Sequence, residues 1–229
     1  MPLSIPSVLS RRWLLGMALM LMLHPIPCDA RERQHHGVVF EKWVRDTFFE
    51  GYMPADYTQK WDIPARVNKN HGQIPVNPKT ARYGSAIDLG DALRQFDTNQ
   101  SFWLIIGYWK EEKGRKRIVN ITAIRVTPSA WRKLWGKVTR EDLMKFDALI
   151  KDRSLSREEV RRRAQELKSQ PPFSDAIVTF NPKIDWKSQR RLQCGLRFTD
   201  VFARLAPNAS SGIQARPELW GVPFAGFVE

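Results

Sequence analysis

Two short stretches hold the residues best suited to chemistry. "QKWDIPA" carries Asp62, and seventeen residues further on "PVNPKTA" carries Lys79, with the polar turn "NKNHGQ" between them. Read as two short neighbouring strands, they bring an aspartate and a lysine to one edge of a sheet. A carboxylate at such an edge can hold a divalent cation that polarises a phosphate. An ammonium group beside it can orient or deprotonate a water and offset charge growing on the phosphorus oxygens. Upstream, "HGVVFEKWVRDTFFEGY" spaces Val39, Phe40, Trp43, Val44 and Phe48 as an amphipathic helix. Glu41 shares a face with Val44 and Phe48, so it is expected to point toward the sheet.

The elements that must position these groups follow in an α/β order. "SAIDLGDALRQF" has Ser85 three residues before Asp88 and one face of Leu89, Leu93 and Phe96, which predicts a capped helix, with Asp88 as a capping residue and Asp91 and Arg94 as an i, i+3 surface pair. "SFWLIIGYWK" and "RIVNITAIRVT", joined by "EEKGRK", predict a long antiparallel hairpin at the centre of the sheet. Residues 129–170 carry three stretches of helical spacing, the last opening on Ser156 and Glu159. "DAIVTFNPKID" and "RRLQCGLRF" predict a closing strand pair, and residues 206–229, rich in Pro, Gly, Ser and Asn, an irregular extension at the surface.

Charge and the N-terminus bear on partners and compartment. The chain has 229 residues, 42% of them hydrophobic, which suits one domain with a full core and excludes global disorder. A formal net charge of +13 favours polyanionic partners, nucleic acid or an anionic membrane surface, over basic ones. Arg11 and Arg12 precede an apolar run from Trp13 to Leu23, followed by Pro25, Pro27 and a small-residue ending at Ala30. That is the order of a cleavable export signal over residues 1–30, the arginine pair resembles a twin-arginine signal, and the run is too short to span a bilayer. The expected location is periplasmic or secreted. The alternatives are a lipidated Cys28 and a cytoplasmic protein that starts near Arg31. With cleavage after Ala30, Cys194 is the sole thiol and no internal disulfide can form.

Glu41, Asp62 and "PVNPKTA" with Lys79 together resemble the PD-(D/E)xK nuclease superfamily, and the likeness runs over residues 37–198. The resemblance implies an α/β fold with a restriction endonuclease-like mixed central sheet flanked by helices, filling residues 31–205. It implies a Mg²⁺-dependent nuclease acting on DNA, without a small-molecule cofactor. Asp62 then becomes the metal-binding aspartate, Lys79 the catalytic lysine and Glu41 the helix carboxylate that joins the site in some members. Two positions depart from the pattern. Trp61 stands where the family has proline, and Asn77 stands where it has a second acidic residue. Asn77 can still offer an amide oxygen to a hard cation, at the loss of one ligand charge.

A second cluster, "NPKIDWKSQRRLQC", groups Lys183, Lys187, Arg190 and Arg191 around Trp186 and Gln193. The basic residues suit phosphate contacts and Gln193 a base edge. A solvated hairpin turn accounts for the same residues equally well. "SREEVRRRAQELK" mixes both signs of charge at helical spacing and reads as a solvated face. None of His35, His36 and His71 has a partner at zinc-ligand spacing. Two further readings remain open: a disabled nucleic-acid-binding relative on the same fold, marked by Asn77, and an exported basic envelope protein.

Overall fold

The computed structural model describes residues 29–55, 59–185 and 189–228, and the side chains from residue 37 onward. The expected signal, its cleavage point at Ala30, Cys28, and the side chains of His35 and His36 lie outside what it describes. No helix among the described residues is long and apolar enough to cross a membrane.

The chain is mixed α/β. Helix α1 (Asp29–Phe48) leads through a long loop to β1 (Val76–Arg82), β2 (Ile87–Asp91), the short α2 (Ala92–Phe96), and the hairpin of β3 (Phe102–Glu112) and β4 (Arg115–Val126). Helices α3 (Pro128–Trp135), α4 (Arg140–Lys151) and α5 (Arg157–Lys168) follow, then β5 (Thr179–Ile184) and β6 (Arg190–Leu196). The strands form two three-stranded sheets rather than one central sheet. The first has the order β1-β3-β4, with β1 parallel to β3 and β4 antiparallel to it. The second, β2-β6-β5, is antiparallel throughout.

Alternation along β3 divides the core. Phe102, Leu104, Ile106 and Tyr108 enter a large cluster with α3, α4, α5 and the second sheet, while Ile105 enters a smaller one with Phe40 and Val44 of α1. The hairpin turns through Lys113 and Gly114, both at positive φ, a two-residue turn whose twist matches the strands. Thr139 and Asp142 form a reciprocal capping box on α4, and Ser156 caps α5 by accepting from the Glu159 amide. Arg162 and Arg163 of α5 pair with Glu159 and Glu166 on its exposed side, so that helix face is solvated, as its charge pattern suggests.

Three expectations change. Residues 87–91 form a strand, not the start of a helix: Ile87 and Leu89 alternate into the core, Gly90 sits at φ 89°, and Asp88 accepts from the Gly90 amide. Asp91, not Ser85 or Asp88, caps the short α2, its Oδ1 accepting from the Arg94 backbone at 2.8 Å instead of forming the expected side-chain pair. Around Asp62 there is no full strand, only a bridge between Ile63 and Val76. Residues 206–228 are mostly exposed and largely irregular, as expected, and they cover the outer edge of β4. Gln214 exchanges hydrogen bonds with Val119 and Ile121, buried Asn120 donates to the carbonyls of Ser210 and Gly212, and Leu219 and Val228 join the smaller core. A small hairpin of β7 (Glu218–Leu219) and β8 (Val222–Pro223) lies in this stretch.

Two contacts fix the depth and entry of the segments that matter. Asn68, fully buried, donates to the carbonyls of His71 and Ile74 and accepts from the His71 amide, which shapes the loop that delivers β1. Gly107 lets α1 come close: a methyl there would lie 2.8–3.0 Å from three atoms of the buried Phe40 ring. Gly107→Ala is therefore expected to overpack this seam and lower stability by about 1–3 kcal/mol in urea unfolding, with part of the loss recovered by adding Phe40→Leu. A Gly107→Ala chain as stable as wild type would show that α1 is not held at this depth.

Candidate functional site

Helix α1 presents two adjacent stripes. Phe40 and Val44 turn into the smaller core, and Val38, Glu41 and Arg45, at helical spacing, line a pocket with Met53, Pro54, Gln59, Trp61 and Asp62. The helix stops cleanly. Phe49 and Gly51 both donate to the Arg45 carbonyl, and Glu50 and Gly51 take positive φ, so the last turn is closed beneath the pocket. From the other side, the Ile63–Val76 bridge sets Asp62 beside β1. Lys79 Nζ donates to Asp62 Oδ2 at 3.3 Å, with both side chains partly shielded from water.

Glu41 completes the group. Burial raises its carboxyl above the ordinary glutamate value; Lys79 and Arg45 pull it back, and the Asp62 charge adds to the rise. Residues far apart in sequence and on three different segments therefore share one electrostatic environment. Asn77 lies two residues before Lys79, on the same face of β1 by alternation, and is buried. Among the described residues, no three His, Cys, Asp or Glu side chains gather as metal ligands. The anionic donors here are Glu41 and Asp62. That set fits a hard divalent cation of the magnesium kind, which keeps several waters and takes one or two carboxylates plus substrate oxygens.

The basic cluster is only partly as expected. Lys183 and Arg191 are register partners across β5 and β6 and are both exposed. Arg190 points the other way: its guanidinium donates to the carbonyls of Asp152 and Leu155, closing the link between α4 and α5, so it is a structural residue and not a phosphate contact. Gln193 is buried with its Oε1 unpartnered, a placement that does not favour the expected base-edge contact. Lys187 and Trp186 lie outside the described residues. His71 stacks on Trp220 at 3.6 Å between ring centres and serves packing. Cys194 is buried, and desolvation, with Asp88 and Asp91 adding to it, raises its thiol well above the ordinary range. Sequence reasoning missed Arg45. Its position four residues after Glu41 on a helix was the available signal.

No family model matches the chain, and neither a curated protein nor a solved structure matches it.

The raised Glu41 carboxyl gives a signed expectation. The native chain holds that proton more tightly than the unfolded chain, so stability falls as pH rises from the ordinary value of 4.5 through the raised one. Glu41→Gln should be more stable than wild type at neutral pH, and the difference should vanish below the ordinary value. Thermal unfolding at the two pH values checks this, and a destabilised Glu41→Gln at neutral pH would contradict it.

Proposed function

We propose that this chain is a metal-dependent nuclease of restriction endonuclease-like fold that hydrolyses DNA phosphodiester bonds. The observation that carries this reading is the 3.3 Å contact of Lys79 with Asp62, in electrostatic reach of Glu41. The mixed sheet and the net charge of +13 agree with it.

Asp62 and Glu41, with the Asn77 amide oxygen as a third candidate, would hold the cation, which when bound supplies Lewis-acid polarisation of the scissile phosphate. The chain's own groups do the rest. The Asp62 carboxylate fixes the Lys79 ammonium by a charge-assisted hydrogen bond, and the ammonium is then placed to orient the attacking water and to stabilise negative charge growing on the phosphorus oxygens. Trp61 and Pro54 line the pocket beside Glu41 and Asp62.

A second reading is favoured by one observation, the amide at Asn77. With one ligand charge fewer, a nucleic-acid-binding protein without catalysis is the alternative. Purified protein incubated with plasmid DNA and Mg²⁺ separates the two: the enzyme nicks the plasmid and a chelator stops it. Lys79→Ala and Asp62→Asn should each abolish cleavage while leaving the fold intact, whereas Asn77→Asp should hold or raise activity. Metal-dependent cleavage by Lys79→Ala at the wild-type rate would move the site elsewhere. An inert wild type with an active Asn77→Asp would establish the disabled nuclease.

DNA binding should weaken with salt as phosphate contacts release counterions. Replacing Lys183 and Arg191 together with alanine should reduce the slope of log affinity against log salt by about 1–2. An unchanged slope would place the DNA on another surface.

A further inference from the structure

Arg45 is buried, yet little among the described residues completes its guanidinium. Its side chain is only 10% exposed, Glu41 Oε2 lies 3.8 Å from its Nη1, and its buried Nε has no hydrogen-bond partner among the described residues. A buried guanidinium with an unused donor is costly unless something anionic completes it. It lines the same pocket as Glu41 and Asp62, and that pocket holds about 90 Å³, room for more than one water-sized group. The charges in its lining are two carboxylates, Glu41 and Asp62, and one cation, Arg45, with a second cation, Lys79, paired to Asp62 from β1. These four charges nearly cancel, whereas a cation site depends on an excess of ligand charge.

Resting on the nuclease reading, we propose that Arg45 is a phosphate-receiving residue that neutralises Glu41 while the site is empty, so that a divalent cation and a phosphate group bind as a coupled pair. A phosphate oxygen satisfies the free Nε, draws the guanidinium from Glu41, and leaves that carboxylate free to act as a ligand. The cation then shares the phosphate's charge. Because the coupling is reciprocal, the cation must tighten phosphate binding by the same factor.

Mn²⁺ binding followed by electron paramagnetic resonance, with and without thymidine monophosphate, tests this without any turnover. For wild type, the nucleotide should raise Mn²⁺ affinity on the order of tenfold. Arg45→Met, which keeps the aliphatic stem, should bind Mn²⁺ alone more tightly than wild type and lose most of the nucleotide's effect; Arg45→Lys should retain much of it. Circular dichroism confirms the fold of each variant. Wild-type Mn²⁺ affinity that is unchanged by the nucleotide, or an Arg45→Met chain that binds Mn²⁺ no better than wild type, overturns the coupling. If plasmid cleavage persists in that case, the nuclease reading stands without it. If Mn²⁺ binds under no condition and the plasmid is not cut, both fall.

Discussion

A helix can approach a sheet only as closely as the smallest residue between them allows, and here that residue is Gly107. The Phe40 ring lies only 2.8–3.0 Å from where a β-carbon at Gly107 would be. One residue further along α1 is Glu41, so the depth of that seam decides whether Glu41 comes within reach of Asp62 and Lys79. Packing and chemistry are therefore one constraint, set by a glycine on β3.

The arrangement works against stability at one point. Taking Glu41 out of water costs free energy, which is why its carboxyl is held above its ordinary range, and Lys79 and Arg45 offset only part of that cost. Arg45 is itself buried with an unused donor. Local conflicts of this kind, a desolvated acid and an unsatisfied cation lining one pocket, are more characteristic of binding sites than of core packing. The rest of the molecule is conventional by comparison. The large cluster behind β3 is apolar, and the β4 edge is covered by Gln214 and Asn120 contacts with the C-terminal stretch.

Asp62 and Lys79 were legible because residue type and spacing alone suggested an acid and a base at adjoining strand ends, and the β3–β4 hairpin because its turn and alternation are strong local signals. Residues 87–91 misled because Leu89, Leu93 and Phe96 fit a helical face, while the left-handed Gly90 and the pairing of β2 with β6 are decided by tertiary contacts. Arg190 and Arg191 look equivalent in sequence. Strand alternation, anchored by buried Leu192, sends one to the α4–α5 link and the other to solvent. In the last stretch, a composition typical of loops concealed Gln214 and Val228, whose partners lie on a distant strand. Arg45 went unremarked because a helical arginine four residues after a glutamate is ordinary in sequence, and only its burial sets it apart.

The central claim is that Glu41 and Asp62 hold a divalent cation beside Lys79. Its most direct measurement is anomalous diffraction at the manganese edge from crystals grown with Mn²⁺ and thymidine monophosphate. One strong peak about 2 Å from carboxylate oxygens of both Asp62 and Glu41, with the nucleotide phosphate against it, is the result predicted. A peak elsewhere on the surface, or a bound nucleotide with no metal between those two carboxylates, would contradict it.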